Sequence, residues 1–487
     1  MYDAQADTID IEDIATNENN RFVLNRTKRN INHDENNKVL YIKYQHDDDG
    51  EDCVDYVPEG AKDMGWLGYF VGRNNHLEEL YFRDFDNMSV DVIKPFLMGV
   101  NRNKSITSLD FLGMDLLGGK VFTMLAPFFE NSSTLINLLI NECTLGDDGW
   151  RLLALAIGSS KSKTLKNVVL AENNISDEAL VDIITSLSMH PQLQKIEMVD
   201  NTLSVNGCKA VATLLRNSVT QLQHLDLADN EINDEGIEAL VPALKNCNHL
   251  GTLRLSRNRS ITTKGWKQLA TILEVPNSNL KTVFILGNNI DDEALAVFAK
   301  ALVGNQLLKT LSLGSGVGGT PILIEGEARR AFSKLVCDTS SINSTFQSNH
   351  TFNYLGYISH TNPLHPLLEL NENEDMKEVA MIKILQHHND FDMTPFFEWE
   401  FKVLPLMINW FERALAIPMP VSFGRRISRG KLSSIYQFVR GMPLLYVEAL
   451  LRKELEEIKE ELPKLDQRKL MLEERRKSII DRLGRRQ

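Results

Sequence analysis

A leucine-based pattern that recurs at a nearly constant interval through the middle of the chain constrains the fold most strongly. The pattern is Leu-x-x-Leu-x-Leu-x-x-Asn-x-Leu or a close copy of it. Such copies begin at Leu135, Leu165, Leu193, Leu222, Leu250, Leu280 and Leu308. Two weaker copies precede them, at Leu77 and Ile106, and successive copies begin 28 to 30 residues apart. Such a period predicts that each repeat contributes a strand and a helix, and that the repeats stack because none can bury its apolar face alone.

Each repeat also contains a recognisable helix start after its strand. In the repeat that begins at Leu222, Asn233 is a favourable N-cap, and Asp234 and Glu235 follow in the first turn, where acidic side chains suit the helix dipole. Apolar residues then recur at helical spacing, at Ile237, Leu240, Val241 and Leu244. We therefore expect an α/β solenoid, a horseshoe with a concave parallel β-sheet and convex helices, followed by a helical C-terminal cap and a heptad tail.

The asparagine of the pattern is predicted to have a structural role. It is present in five successive repeats, as Asn173, Asn201, Asn230, Asn258 and Asn288. At this position the chain turns off the strand, and its backbone groups become buried between repeats, where they need hydrogen-bond partners. A carboxamide supplies both a donor and an acceptor, so we expect each of these side chains to bind the backbone.

The repeats resemble leucine-rich repeats of the ribonuclease-inhibitor type. The segments that carry the resemblance read LKNVVLAENNIS from Leu165, LQHLDLADNEIN from Leu222 and LKTVFILGNNID from Leu280. The resemblance extends over roughly half of the chain and implies the solenoid fold. It says less about function, because proteins with these repeats include inhibitors, sensors, scaffolds and GTPase activators.

The composition limits the classes of partner and compartment. The 487-residue chain has a formal net charge of −13, which argues against a general binder of nucleic acid or anionic membranes. It has no apolar stretch long enough to span a membrane. Its five cysteines are scattered without a CxxC pair, which argues against a disulfide framework and a zinc site. A reducing compartment is expected, the cytoplasm or alternatively the nucleus.

Five segments are expected along the chain. Residues 1–38 are acidic at their start, poor in apolar residues and predicted to be disordered. Residues 39–76 form an N-terminal cap, and 77–335 form the repeats. A degenerate copy beginning at Ile342 and a helical C-terminal cap occupy 336–440. Residues 441–487 form a coiled-coil-like helical tail, in which heptad leucines and Pro463 leave open whether it self-associates or remains a solvated single helix.

The concave face is the predicted binding surface. By strand alternation, one outward column runs from Tyr81 to Ser312, and a second column lies just past the strands. Acidic side chains concentrate in the middle of these columns and two arginines follow. We predict partner contacts at Asp110, Glu142, Glu172, Glu197, Asp200, Asp226, Asp229, Arg254 and Arg257. Such a surface would attract a basic protein. The alternative is that these acids only keep exposed strands soluble.

No catalytic, cofactor or metal site is predicted. Gly314–Gly319 matches GxGxxG, but the strand before it belongs to a solenoid, which lacks the crevice in which that motif binds dinucleotides. The favoured function is therefore a non-catalytic scaffold that binds a protein. The alternative is a GTPase-activating or other regulatory role, because the Ran GTPase activators share this repeat type and are acidic.

Overall fold

The computed structural model describes residues 2–29, 38–43, 55–83, 89–217, 221–275, 278–314, 324–388, 459, 462–478 and 480. The chain divides into two compact units. Met1–Cys337 and Ser348–Glu374 form the larger unit, and Asp338–Gln347 and Asp375–Gln487 form the smaller one.

The larger unit contains a ten-stranded sheet whose strands follow one another in chain order, each parallel to the next. The strands are β1 Val39–Lys43, β2 Glu79–Arg83, β3 Ser108–Leu112, β4 Asn137–Asn141, β5 Asn167–Val169, β6 Lys195–Glu197, β7 His224–Asp226, β8 Thr252–Arg254, β9 Thr282–Phe284 and β10 Thr310–Ser312. Parallel neighbours without crossovers are the outcome that the repeat period predicts. The predicted α/β solenoid is confirmed.

Helices alternate with these strands throughout the larger unit. They are α1 Tyr2–Gln5, α2 Glu18–Arg29, α3 Ala61–Arg73, α4 Val90–Val100, α5 Lys120–Asn131, α6 Gly146–Ser159, α7 Asp177–Leu187, α8 Val205–Arg216, α9 Asp234–Asn246, α10 Thr263–Ala270, α11 Asp292–Ala301, α12 Gly326–Val336 and, further along, α14 His365–Leu370. From β1 to β10, one of these helices follows each strand and returns the chain to the start of the next.

The core lies between the sheet and the helices. In β4, Leu138 and Ile140 are buried while the alternate residues are half-buried on the other side, as the pleat of a strand requires. Trp150 of α6 and Trp266 of α10 are fully buried. Equivalent side chains of neighbouring repeats stack on one another, as Phe82 and Phe111 do at a centroid distance of 4.7 Å.

The asparagine column binds the backbone as predicted. Asn201 Nδ2 donates to the carbonyl of Leu170 at 2.7 Å, and its Oδ1 accepts from the backbone N–H of Ile175 at 2.9 Å. Asn173, Asn230 and Asn258 make corresponding bonds to the preceding repeat. Each carboxamide thereby satisfies buried backbone groups that would otherwise lack partners.

Aspartates in the first turns of the helices provide a second connection between repeats. Asp234 of α9 accepts from both the backbone N–H and the hydroxyl of Thr262, which is the N-cap of α10. Asp177 of α7 accepts in the same way from Ser204, which precedes α8. These aspartates therefore bind the start of the next helix, besides being placed favourably for the dipole of their own helix.

The predicted disorder of residues 1–38 is wrong for the part that the structure describes. Residues 2–29 contain α1, a 3₁₀ turn at Ile11–Asp13 and α2. Val23 and Leu24 of α2 are fully buried. The Glu59 carboxylate accepts bonds from the backbone and hydroxyl of Thr16 and from the backbone of Asn17. The prediction rested on the acidic composition and overlooked a few well-spaced apolar residues, which pack against α3.

The chain after α12 departs from the expected repeat. Residues from Ile342 to Phe346 form a helix, α13, and not the strand of a degenerate copy. The position beside β10 is taken instead by Tyr354, which pairs with Thr310 in a parallel bridge. The smaller unit contains α13, α15 (Met376–His387) and a helix over 462–478. Residues 389–440 of the predicted segment 336–440 lie outside the described residues.

Candidate functional site

The open face of the sheet, the side away from the helices, carries the predicted outward column in register. The predicted residues pair across the strands in the order Tyr81, Asp110, Leu139, Val169, Glu197, Asp226, Arg254, Phe284 and Ser312. The structure adds Tyr41 of β1, which pairs with Tyr81. The structure therefore places Glu197, Asp226 and Arg254 side by side on β6, β7 and β8. Strand alternation was sufficient to predict this neighbourhood.

The second predicted column lies in a turn of left-handed backbone. Glu142, Glu172, Asp200, Asp229 and Arg257 have φ between 52° and 59°. Each donates its backbone N–H to a carbonyl of the next repeat, as Glu172 does to Val199 at 2.8 Å. Gly113 and Gly287 occupy the same position in other repeats, with φ of 64° and 69°. The hydrogen-bonded backbone thus fixes the positions of the Cα and Cβ atoms from which these side chains extend.

Four of the seven predicted acidic contacts are paired with basic side chains within the open face. Arg83 Nη2 lies 3.4 Å from Asp110 Oδ2, and Arg254 Nη1 lies 3.7 Å from Asp226 Oδ2. The other two pairs are Glu197 with Lys195 and His224, both at 3.1 Å, and Asp229 with Arg257 at 3.2 Å. The two predicted arginines therefore do not form a separate basic surface, because each neutralises an acid of the preceding repeat.

The expectation that all these acids are exposed is wrong for Asp110 and Asp226. Their exposed fractions are 7% and 4%. Both side chains are short, and long basic side chains on the neighbouring strands cover them. Burial raises the pKa of both carboxyls, although the neighbouring arginines oppose the shift. By contrast, the His224 imidazole, whose Nε2 lies 3.1 Å from Oε1, lowers the pKa of Glu197. Opposite charges offset one another in this part of the face, although Asp110 Oδ1 and Arg254 Nε have no hydrogen-bond partner among the described residues.

Three predicted contacts remain as exposed carboxylates, and we call Glu142, Glu172 and Asp200 the acid row. None of them has a hydrogen-bond or ion-pair partner among the residues that the structure describes. They lie in three successive repeats and line one cleft of about 650 Å³. The floor of this cleft includes Asn173 and Asn201, which are committed to the backbone. The acid row is therefore the part of the predicted surface that is available to a ligand.

An apolar patch lies beside the acid row on the same repeats. Its members are the half-buried residues Leu112, Leu139, Val169, Ala171 and Val199. Leu139 and Val169 are cross-strand partners on β4 and β5. Strand alternation predicted Leu139 and Val169 in the outward column, but Leu112, Ala171 and Val199 were not predicted as part of the binding surface. Continuing the strand alternation by two residues past Val169 and Glu197 would have revealed Ala171 and Val199.

Aromatic side chains mark both ends of the open face. Tyr41 and Tyr81 stack at 4.6 Å, and Arg83 lies over the ring of Tyr81. At the other end, the guanidinium of Arg254 lies 4.4 Å from the ring centroid of Phe284. Aromatic and arginine side chains are enriched in the energetically dominant parts of protein interfaces.

Glu197, His224 and Asp226 form the one group among the described residues with the chemistry to bind a metal ion. One donor atom from each lies within 4.8 Å of the other two. Lys195 and Arg254 already neutralise the two carboxylates. A divalent cation would have to displace or tolerate both positive charges, so the electrostatics favour the ionic network over a metal centre.

Comparison with known proteins supports the repeat assignment at one position. The family model described as a leucine-rich repeat matches residues 220–241. This segment contains β7 and most of α9, which is one strand and one helix of the solenoid. No curated protein matches the chain significantly. Within the described residues, every helix is too short or too polar to cross a membrane.

Proposed function

Because this chain is a leucine-rich-repeat protein, we propose that it is a non-catalytic scaffold that binds a protein with a basic surface on the open face of its sheet. The acid row is the observation that carries this proposal. Three exposed carboxylates without partners in the described structure, repeated at the same position in three successive repeats, present uncompensated negative charge to a partner. Such a charge pattern raises association rates and selects basic surfaces.

The fixed backbone of the open face supports this function. The acid row begins at backbone positions that are hydrogen-bonded to the next repeat, from Glu142 to Ala171, from Glu172 to Val199 and from Asp200 to Ala228. Side chains anchored in this way lose less conformational freedom when a partner binds. The surface is thus preorganised, and association costs less than it would on a mobile loop.

The remaining predicted contacts have a supporting role in this proposal. Asp110, Glu197, Asp226, Asp229, Arg254 and Arg257 are already paired, so a partner gains little Coulomb energy from them. Their contribution is to form a polar border around the patch and acid row, which discourages partners of the wrong charge pattern.

Affinity purification with quantitative mass spectrometry tests the proposal. The variant combines Glu142→Gln, Glu172→Gln and Asp200→Asn, which removes three charges at nearly constant shape. The matched control combines Glu235→Gln, Glu238→Gln and Glu274→Gln, which removes three exposed charges from α9 and the 3₁₀ turn that follows α10. A basic partner should be retained by the wild type and the control and lost by the acid-row variant. Equal capture by all three proteins would contradict the proposal.

A turnover assay distinguishes the scaffold from a GTPase regulator. The purified protein would be added to a panel of small GTPases, and hydrolysis would be followed with and without it. A scaffold leaves the turnover unchanged, whereas an activator that stabilises transition-state charge or positions catalytic groups raises it by orders of magnitude. An increase that the acid-row variant abolishes would replace the scaffold proposal with a regulatory one.

The cellular setting in this proposal is the reducing cytoplasm. Cys143, Cys208 and Cys247 are thiols outside any disulfide. Burial raises the pKa of the Cys143 and Cys208 thiols, to about 11 and about 12, which keeps them protonated and unreactive.

Self-association through the heptads is part of the proposal, supported by the exposed Leu465 and Leu472 of the helix over 462–478. Sedimentation of the full chain before and after changing both leucines to Glu tests it.

A further inference from the structure

We infer that the partner presents an amphipathic α-helix, which lies across the repeats with an apolar stripe on the apolar patch and a basic stripe on the acid row. This inference rests on the proposed function and specifies the partner's chemistry. It starts from the way in which the two features are arranged. Leu139 and Glu142 belong to one repeat, Val169 and Glu172 to the next, and Val199 and Asp200 to the third. Each repeat therefore offers one apolar side chain and one carboxylate, although Val199 lies two residues past Glu197, which is the cross-strand partner of Val169.

The spacing of the repeats favours a helix over an extended segment. Neighbouring parallel strands lie about 4.8 Å apart, so successive carboxylates begin at about 0, 4.8 and 9.6 Å along the direction across the strands. Helical side chains at i, i+3 and i+7 rise by about 4.5 and 10.5 Å, which matches this series to within about 1 Å. Same-face side chains of an extended strand advance by about 6.6 Å, and by the third repeat they are out of step by more than about 3 Å.

The extent of the patch sets the length of the helix. From Leu112 at the end of β3 to Val199 just past β6, the patch crosses four repeats, or about 15 Å. An α-helix covers this distance with about ten residues, or three turns. Three turns place basic side chains at i, i+3 and i+7 on one stripe, and apolar side chains fill the neighbouring stripe. This is the pattern of a basic amphipathic helix docked through its apolar face.

The charged parts of the open face are less suitable for this helix. Displacing Arg254 from Asp226, or Lys195 from Glu197, would break an existing pair to form an equivalent one. No such exchange is needed at the acid row, where the partner's cations meet carboxylates without partners in the described structure. The helix is therefore expected beside the acid row, along the ends of β3 to β6 and past the Lys195–Glu197 pair, and not on β7 to β10.

Fluorescence anisotropy with a designed probe tests this inference on the full chain. The probe is a labelled peptide of Leu, Ala and Lys, about 18 residues long so that helix formation is favourable. It carries one Leu stripe and, beside it, Lys at i, i+3 and i+7. One comparison peptide has the same composition with its Lys distributed around the helix. A second keeps the Lys positions and replaces a central Ala by Pro, which breaks the helix.

The patterned peptide should bind the wild type more tightly than both comparison peptides. Removing the acid row with the Gln and Asn variant should weaken its binding about tenfold, since exposed ion pairs contribute modestly and three are lost. Val169→Asn should weaken binding without altering charge, and the Glu235, Glu238 and Glu274 control should leave binding unchanged. Thermal unfolding of each variant verifies that it folds.

Two outcomes would overturn the helix and one would support it. If the Pro-containing peptide, or the peptide with its Lys distributed around the helix, binds as tightly as the patterned one, the surface recognises net positive charge and not a helix. If the patterned peptide fails to bind while a cellular partner is still captured through the acid row, the proposed function stands and the helix is wrong. Preferential binding that needs both Val169 and the acid row supports the helix.

Discussion

Asn258 Nδ2 donates to the carbonyl of Leu227 in the preceding repeat at 2.9 Å. The same side chain accepts from the backbone N–H of Ile232, and it is fully buried. Replacing Asn258 by Ala leaves the buried backbone N–H of Ile232 without its acceptor, which costs about 1–3 kcal/mol. The carbonyl of Leu227 loses one carboxamide donor but keeps Asn230 Nδ2 at 3.2 Å. We expect Asn258→Ala to lower the free energy of unfolding by about 1–3 kcal/mol, as measured by urea denaturation.

Asn288 provides a matched control for this prediction. It occupies the same position after β9, the last strand but one, and donates to Leu255 and Ile285. Its Oδ1 has no hydrogen-bond partner among the described residues. Asn288→Ala should therefore cost distinctly less than Asn258→Ala. Equal losses would show that the number of bonds does not determine the contribution of the asparagine.

The left-handed column predicts an unusual sensitivity to alanine at Gly113. Its φ is 64°, and an L-residue in this region costs about 1–2 kcal/mol. Neighbouring repeats accommodate Glu142 and Glu172 at this position, so space for a side chain is available and the cost is conformational. Gly113→Ala should lower the free energy of unfolding by about 1 kcal/mol. Gly113→Asn should cost less, because asparagine tolerates left-handed backbone.

Gly251 is the control for this comparison, because its φ is not positive. A Cβ built on Gly251 meets only the carbonyl oxygen of Gln223, at the ordinary contact distance of 3.7 Å. Gly251→Ala should therefore be neutral or slightly stabilising, since it reduces the freedom of the unfolded chain. If Gly113→Ala and Gly251→Ala behave alike in urea denaturation, the left-handed backbone at Gly113 does not determine stability.

The fold could be predicted from the sequence because a solenoid is built from local units. A strand, a turn and a helix within each repeat determine the contacts with the next, so the spacing of Leu222 and Leu250 carried nearly all the information. The left-handed turns had a weaker signal, the glycines at 113 and 287. The N-terminal helices were missed because their burial depends on contact with α3, which composition does not reveal.

The candidate site was predictable in position but not in chemistry. Strand alternation placed Asp226 and Asp200 near each other, and both are acidic, so the sequence treated them as equivalent. The structure separates them, because Arg254 of the neighbouring repeat reaches Asp226, while no basic side chain among the described residues pairs with Asp200. Which side chain reaches which carboxylate depends on rotamers across repeats, and a periodic pattern cannot specify these.

This separation predicts a large effect on stability for Asp226 and a small one for Asp200. Asp226→Ala removes the acceptor for the backbone N–H of Ala228 and leaves Arg254 without its carboxylate. It should cost about 1–3 kcal/mol in the free energy of unfolding, measured in urea. Asp200→Asn should change stability by less than about 0.5 kcal/mol, because it is an exposed surface substitution. A larger loss from Asp200→Asn would assign Asp200 a structural role and weaken its place in the acid row.

The buried His190 predicts a loss of stability in mild acid. Burial lowers the pKa of its imidazole to about 4, and the charge of Lys163 adds to this shift. In the unfolded chain a histidine titrates near 6.5. Between these values the unfolded chain binds more protons than the folded one, so stability is fully present above about pH 6.5 and falls as the pH falls towards 4.

The size of this effect can be isolated with two variants. His190→Gln removes the titrating group and retains a donor for the carbonyl of Ile157, which lies 3.3 Å from Nε2. Between pH 7 and pH 5, the wild type should lose about 1–2 kcal/mol more stability than this variant. His249→Gln, at an exposed position, should lose as much stability as the wild type between the two pH values. Urea denaturation at both pH values measures the difference. If His190→Gln and the wild type lose stability in parallel, the buried imidazole is not the group that responds to acid, because only His190 differs between the two proteins.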